Sequence, residues 1–334
     1  MNAVYSFGTA LVAALVLTPA AAAVALRLGV IDEPGGHKGH AKATPLLGGV
    51  AIAAAIAVAA AIAGVAARFA VILGAAAGVF LVGLLDDCRG TPVWLRLLVQ
   101  TCAALAVVWS GTRATFLVGH AWITVPVTVL WIVGITNAFN LLDNMDGLSA
   151  GVAGIAAAMF LLVCHETGQA AEAAALSAVA GAAAGFLPYN FKPARVFMGD
   201  AGALTLGFVI ACLSVSMTFY KYEGTALPLA APLLVLAIPL FDTASVLWIR
   251  IRRGTPLTRG DRNHFSHRLV ALGMGERTAV VTIYMAATAI GLGAVLLKDL
   301  SWWGGGLLLV QAALVLGIVV LMETTGKGKS ADDH

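Results

Sequence analysis

Residues 136–148 read Thr136-Asn137-Ala138-Phe139-Asn140-Leu141-Leu142-Asp143-Asn144-Met145-Asp146-Gly147-Leu148, and they follow a run, Val125 to Ile135, that holds no ionisable side chain. Five carboxylate or carboxamide side chains then fall between Asn137 and Asp146. An apolar helix that ends in such a cluster places it at a membrane surface or in a cavity, where polar groups are costly and usually functional. Asn137, Asn140, Asp143 and Asp146 recur every three residues, so a helix running through all four carries them as one slowly turning ridge. Oxygen atoms on that ridge suit a hard cation, Mg²⁺ or Mn²⁺. The plainer alternative is a helix C-terminus followed by a turn at Asp146-Gly147. Two asparagines meet that need, and two aspartates exceed it.

The composition places this helix in a bilayer. Hydrophobic residues make up 60% of the 334 residues and charged ones 11%, against about 45–50% and about 25% in soluble domains. The expectation is an all-α polytopic membrane protein with no nucleic-acid partner. The N-terminal run Val4 to Leu26 lacks the basic start of a signal peptide and is long enough to span. Cys88, Cys102, Cys164 and Cys212 show no paired spacing, which points to neither a disulfide nor a zinc site. Apolar runs predict eleven spans, at 4–26, 46–66, 69–85, 93–109, 123–141, 148–165, 170–189, 202–220, 226–249, 278–297 and 303–322. They form one membrane domain over 1–325, followed by a short tail over 326–334.

Alternating the loops between two sides sorts the charge. Of the twenty Lys and Arg residues, Arg68, Arg113, Lys221 and Lys298 fall on one side and the other sixteen on the opposite side. Basic loops favour the cytoplasm, so the N-terminus is expected outside and the C-terminus inside. Asp86, Asp87, Asn140, Asp143, Asp146, Asp200, Asp242, Arg262, His264 and His267 all sort to that cytoplasmic side, although none was used to draw the spans. A cytoplasmic active site at the headgroup level of the cell membrane is the expectation.

Four further stretches carry chemistry. The first inside loop holds His37, Lys38, His40 and Lys42, followed by Pro45 and Gly48-Gly49; it binds phosphate or is a solvated basic loop. Asp86-Asp87 ends a span, and Arg96 and Gln100 open the next at i, i+4 spacing. Adjacent carboxylates repel, so one has a raised pKa or a cation sits between them; the alternative is a polar turn. In Gly199-Asp200-Ala201-Gly202 the glycines let backbone approach a ligand closely, and Asp200 caps the next helix, binds metal, or does both. The expected ninth span carries Pro228, Pro232 and Pro239, the last of which kinks or breaks it. The loop after it holds Arg250, Arg252, Arg253, Arg259, Asp261, Arg262, Asn263, His264, His267 and Arg268. Such a loop suits a diphosphate, which arginine grips bidentately, or anionic lipid headgroups. Gly74-x-x-x-Gly78 and Gly181-x-x-x-Gly185 permit close helix packing, within the monomer before a dimer face.

These motifs, in this order from Val30 to Leu272, resemble the polyprenyl-phosphate N-acetylhexosamine-1-phosphate transferase superfamily (glycosyltransferase family 4). The resemblance rests on Asp32-x-Pro34, Lys38-x-His40 and Pro45-x-x-Gly48-Gly49; on Asp86-Asp87; on the Asn137 to Gly147 stretch; on Gly199 to Gly202; and on Asp261-Arg262-Asn263-His264-x-x-His267-Arg268. It implies ten or eleven spans and a Mg²⁺-dependent transfer of a sugar 1-phosphate from a UDP-N-acetylhexosamine to a polyprenyl phosphate. The His264 motif is similar to that of the N-acetylglucosamine branch, which carries His-x-His-His-Arg, with Ser266 in place of the middle histidine. The muramoyl-pentapeptide branch carries three consecutive histidines instead. The family usually has Gly where this chain has Asn144, and Arg where it has His37. These departures bear on the sugar more than on the reaction.

Carried over by position, the resemblance implies Asn140 and Asp200 as Mg²⁺ ligands and Asp143 beside the metal. It implies Asp146 as the uracil reader and Asp86 and Asp87 as the pair acting on the lipid phosphate. Arg96 contacts phosphate, while Lys38, His40, Arg262, His264, His267 and Arg268 serve as grips for the diphosphate and sugar. A homodimer is compatible with this reading. Two other readings are open: the muramoyl-pentapeptide substrate, and a transporter of lipid-linked or nucleotide sugar. The transporter would place polar groups near the midplane rather than crowding them at one end.

Overall fold

The computed structural model describes residues 2–32, 43–113, 120–217, 219, 230–257, 261 and 263–329, the side chains of 298 and 319–329 excepted. It is an all-α polytopic membrane protein. The helices are α1 (Asn2–Leu28), α2 (Gly48–Ile62), α3 (Ala70–Arg89), α4 (Val93–Trp109), α5 (Ala121–Leu142), α6 (Leu148–Thr167), α7 (Ala170–Asn190), α8 (Gly199–Ser216), α9 (Ala231–Val235), α10 (Ala237–Arg253), α11 (Phe265–Ala271), α12 (Glu276–Leu296) and α13 (Trp302–Lys329). Of these, α1, α3, α5, α6, α7, α8 and α12 are long and apolar enough to cross a membrane, and α2, α4 and the first part of α13 are shorter apolar helices. The chain divides into two compact units, Met1–Thr218 and Phe219–His334.

Ten of the eleven expected spans have a helical counterpart, the fourth with the same ends and the others with shifted ones, and the ninth does not hold as one span. It is split at Leu236 into α9 and α10. Pro239 lies four residues after Val235, so it has no N–H for the Val235 carbonyl and its ring crowds that carbonyl. The break therefore falls one turn before the proline. Two features were not expected from the pattern. The loop over 250–277 contains α11, and β1 (Ile31–Asp32) pairs antiparallel with β2 (Thr44–Pro45), with Ile31 opposite Pro45.

In the first unit α8 is the central helix, buried on every side from Ala201 to Val215. A helix apolar all round belongs in a core, and here small residues bring its neighbours to backbone contact. A Cβ on Gly83 of α3 would sit 2.7 Å from Ala201 Cα, one on Gly49 of α2 2.3 Å from Gly202 N, and one on Gly207 2.9 Å from Thr136 Cα of α5. Lipid tails give helices no hydrophobic reason to associate, so this closeness is what holds them. The same device joins α1 to α7: Cβ atoms on Gly181 and Gly185 would lie 2.3 and 2.5 Å from the Phe7 and Leu11 carbonyl oxygens. Ser6 Oγ donates to Ala174 O (2.7 Å) and Tyr189 Oη to Leu15 O (2.9 Å) along the same seam. The Gly181 motif thus packs within the monomer. Gly74 and Gly78 meet nothing within 4 Å, and dimerisation has no support in this structure.

The Gly48-Gly49 motif serves the same packing. Gly48 N–H donates to Phe197 O (3.0 Å), Gly49 N–H to Met198 O (2.9 Å), and Phe197 N–H to Pro45 O (2.8 Å). The segment 44–49 is therefore fastened to the turn that starts α8, which carries Asp200.

Candidate active site

At the end of the first unit where α3, α5 and α7 finish and α4 and α8 begin, the side chains of the sequence motifs meet. Asp87, at the end of α3, accepts the Asp200 N–H (2.7 Å) on one carboxylate oxygen and the Ala201 N–H (3.0 Å) on the other. These are free donors of the first turn of α8, so Asp87 caps that helix from a neighbouring one. From the spacing, Asp200 was open to this cap, to metal binding, or to both. Asp200 instead lies inside the helix, one residue past its start, and its side chain is released for other partners. Gly199 makes the arrangement possible: its φ is +69°, and a Cβ there would lie 2.5 Å from Asp87 Oδ2.

Arg96 bridges two carboxylates. Its Nη1 donates to Asp86 Oδ2 (2.7 Å) and to Asp200 Oδ2. The other Asp86 oxygen accepts both the backbone N–H and the hydroxyl of Thr91. Asn140 Nδ2 donates to Asp200 Oδ1 (2.8 Å). One turn deeper, Asn137 Nδ2 donates to Val133 O (2.8 Å) and Gln100 Oε1 (2.5 Å). Gln100 is wholly buried, and its Nε2 has no partner among the described residues.

The expected ridge of four does not form. Helix α5 ends at Leu142, and Asp143 is its C-cap, so Asn137 and Asn140 share the ridge and the two aspartates leave it. Asn144 Nδ2 closes the helix end on Leu141 O (2.8 Å). Gly147, at φ +79°, turns the chain into α6, and its N–H is held by Asn190 Oδ1 (3.0 Å). Asp146 then faces the 192–194 turn, accepting the Ala194 N–H (3.0 Å) with Lys192 Nζ at 3.9 Å. Burial, followed by the charges of Asp200, Asp87 and Asp146, pushes the Asp143 carboxyl well above the usual carboxylate range.

No three His, Cys, Asp or Glu side chains among the described residues converge as a ready metal cage. The donor chemistry nonetheless fits a hard cation. Asp86, Asp87, Asp143, Asp146 and Asp200 share this end of the unit with Arg96 and Lys192. The oxygens of Asn140 and Asp200 are of the type that Mg²⁺ takes.

The second unit holds a different cluster. Asp242 of α10 is 0% exposed, and its oxygens accept His264 Nδ1 (2.8 Å) and the Phe265 N–H (2.6 Å). Arg268 Nη2 donates to Ser245 Oγ (2.8 Å), and its guanidinium lies over the Phe241 ring. Arg250 is 2% exposed; its Nε donates to Asp261 Oδ2 (2.9 Å) and its Nη1 to Leu257 O (2.6 Å). Partial burial works against the ionised Asp261 carboxylate, but the bonds from Arg250 and Asn263 outweigh it and bring its pKa down to about 2. His267 lies on α11 beside this cluster. Lys38, His40 and Arg262 lie outside the described residues.

The model of the glycosyl transferase family 4 matches residues 69–218, which span α3 to α8 and the whole acidic cluster. A Bacillus subtilis (strain 168) protein named "Probable undecaprenyl-phosphate N-acetylglucosaminyl 1-phosphate transferase" is 32% identical over 333 residues, covering 97% of this chain and 92% of its own. The chain belongs to glycosyl transferase family 4.

Further members of the family are similar over most of their length. The decaprenyl-phosphate N-acetylglucosaminephosphotransferase of Mycobacterium tuberculosis (strain ATCC 25618 / H37Rv) is 28% identical over 93% of this chain and 85% of its own. The undecaprenyl-phosphate alpha-N-acetylglucosaminyl 1-phosphate transferase of Escherichia coli (strain K12) is 28% identical over 80% and 76%. In this member of the family, Asp86, Asp87, Arg96, Asn140 and Asp200 form one hydrogen-bonded network, with Asp143 close enough to feel its charge. Asp146 belongs to a neighbouring turn. Sequence reasoning missed two participants and the partner of a third. Thr91 gave no signal beyond following Asp86-Asp87. Asn190, buried at the end of a span, carried the signal of a costly polar group. Asp242 was visible as a carboxylate in a proline-rich span, but its partner is fixed by tertiary structure.

Proposed function

We propose that this chain transfers N-acetylglucosamine 1-phosphate from its UDP-sugar to undecaprenyl phosphate, releasing UMP, as the first membrane step of a cell-envelope polysaccharide. The observation that carries the reading is the network of Asp86, Arg96, Asn140 and Asp200 at one end of an apolar bundle, in a chain whose relatives are named for that transfer. A phosphate oxygen of the lipid attacks the β-phosphorus of the UDP-sugar. The bond from that phosphorus to the oxygen of the α-phosphate breaks, and UMP leaves with the electron pair. One phosphoanhydride forms as one breaks, so the reaction runs close to balance.

Asn140 and Asp200 would hold Mg²⁺, with Mn²⁺ as a substitute. When bound, the ion supplies screening of the negative charge that two meeting phosphates bring together. Arg96 holds Asp86 and Asp200 in place and adds a fixed positive charge. Both oxygens of Asp87 and both of Asp86 already accept hydrogen bonds, which favours direct attack by the lipid phosphate over a covalent aspartyl intermediate. Asp143 supports the ion site, and Asp146 reads the uracil. In the second unit His264, His267 and Arg268, with Arg262, bind phosphate and sugar oxygens; Lys38 and His40 do so from the first loop. One transferase domain over 1–325 with a tail over 326–334, an external N-terminus and a cytoplasmic active site in the plasma membrane complete the reading.

The test is the full chain in oriented vesicles with Mg²⁺, a polyprenyl phosphate and a panel of UDP-sugars. The expected product is a polyprenyl-diphosphate N-acetylglucosamine, formed when the sugar is offered from the cytoplasmic side. Product solely from a muramoyl-pentapeptide donor, or sugar uptake without lipid product, would overturn it.

A further inference from the structure

We propose that Asp242 is the positioning residue for His264: it keeps the imidazole proton on Nδ1, turned inward, and so makes Nε2 the nitrogen offered to a ligand. This rests on the reading that His264 binds the sugar, a hydroxyl of which can donate to the Nε2 lone pair. Asp242 and His264 are 0% and 5% exposed. A buried carboxylate needs partners for its charge, and this one has two. The Phe265 N–H, at 2.6 Å, is a backbone donor and cannot be anything else. The other contact is His264 Nδ1 at 2.8 Å. An ionised carboxylate accepts and does not donate, so the Nδ1 atom must carry the hydrogen. The partner of one ring nitrogen sets the state of the other. His264 Nε2 makes no hydrogen bond among the described residues.

Capping alone does not account for this residue. One carbonyl oxygen would satisfy the Phe265 N–H, and an asparagine supplies one. The second oxygen and the negative charge are in excess of that need, and both are spent on the histidine. The break at Leu236 starts α10 afresh, and Asp242 lies one turn into it. Ser245, one turn further on, takes the Arg268 guanidinium (2.8 Å) while its own hydroxyl donates to Asp242 O (3.0 Å). Two polar positions one turn apart on α10 thus hold His264 and Arg268 of the loop and α11. A helix with these residues in register is a template for the motif rather than a passive neighbour.

Asp242→Asn discriminates. The amide has one acceptor, which the Phe265 N–H claims; its NH₂ group then faces His264 Nδ1 as a donor. The imidazole must answer with a lone pair on Nδ1 and move its proton to Nε2, the reversal that a carboxylate-to-carboxamide change causes beside a histidine. Nitrogen NMR of the full chain labelled at histidine ring nitrogens reads this directly, with His264 assigned by its loss in His264→Gln. The expected result is a protonated Nδ1 in the unaltered protein and an unprotonated one in Asp242→Asn. The kcat/KM for the UDP-sugar should fall about 10–100-fold, the range for partners that orient a binding histidine, and His264→Gln/Asp242→Asn should be no worse than His264→Gln.

An unprotonated Nδ1 in the unaltered protein would overturn the proposal without any need for the variant to fold. So would a protonated Nδ1 in Asp242→Asn, or equal losses from Asp242→Asn with and without His264, which would mark Asp242 as a helix cap. If His264→Gln keeps full kcat/KM, the sugar-binding reading of His264 fails, while the nitrogen spectrum still decides the role of Asp242.

Discussion

The acidic cluster of the first unit and the basic cluster of the second use the same residue types to opposite ends. Around Asp200, carboxylates outnumber cations: Asp86, Asp87, Asp143, Asp146 and Asp200 stand with Arg96 and Lys192. Around His264, cations outnumber carboxylates. Asp242 and Asp261 are each committed to a buried basic side chain, and Arg252, Arg253, His267 and Arg268 share the same stretch of chain. The first has a deficit of positive charge and the second a surplus. Within each, some charges are tied up in structure. Arg250 is almost wholly buried, and it serves as the strut of its loop rather than as a phosphate grip, since a buried guanidinium must be paired. Asp87 is the acidic counterpart, a carboxylate spent on capping a helix.

The comparison breaks most visibly at Asp200. Asp200→Ala should lower turnover by about 10²–10³-fold, the scale of losing one fixed group that meets developing charge, and excess Mg²⁺ should not restore it. Glu166→Ala, at the far end of α6, should leave turnover near its starting value. Equal losses in a lipid-product assay would show that Asp200 is structural and that the acidic cluster is no more than packing.

A smaller effect sharpens the structural side of that cluster. Gly199→Ala forces a side chain into a left-handed backbone position and drives its Cβ against the Asp87 carboxylate. It should destabilise the folded protein by about 1–3 kcal/mol, seen as a lowered thermal midpoint in detergent. An unchanged midpoint would mean that the Asp87 cap does not hold the start of α8.

The smallest effect belongs to the basic cluster. The Asp261 pKa lies below its ordinary value of 3.8, at about 2 in the folded chain. A lowered folded pKa gives stability that is present above the ordinary value and lost as pH falls through the folded one. The Arg250–Asp261 tie should therefore weaken as pH falls from about 4 toward about 2, and Asp261→Asn should remove that part of the acid sensitivity. A variant with the same acid midpoint as the parent would show that Asp261 is not held by Arg250 in solution.

Much of this was legible from the chain, and the reasons are physical. A bilayer imposes apolar runs of fixed length, so the helices announced themselves, and buried carboxylates are costly enough to stand out at helix ends. Pro239 marked a break because proline lacks a donor, though the pattern could not say that the break would fall at Leu236. The Asn137–Asp146 spacing was read as one ridge. It failed because nothing in a spacing of three tells where a helix stops, and the chain leaves α5 at Asp143 to make the Gly147 turn.

Apolar run lengths and five ordered motifs were enough to mark a membrane-spanning helical protein of one transferase family and to name nearly all the groups that meet around Asp200. The division of labour among those groups came from packing. Whether Asp87 or Asp200 caps α8, whether Gly202 faces a ligand or a helix, and which partner Asp242 meets depend on which groups come within about 3 Å. That distance is set by helix packing between segments more than a hundred residues apart for Asp87 and Asp200, and twenty-two apart for Asp242 and His264. Local sequence carries no record of it.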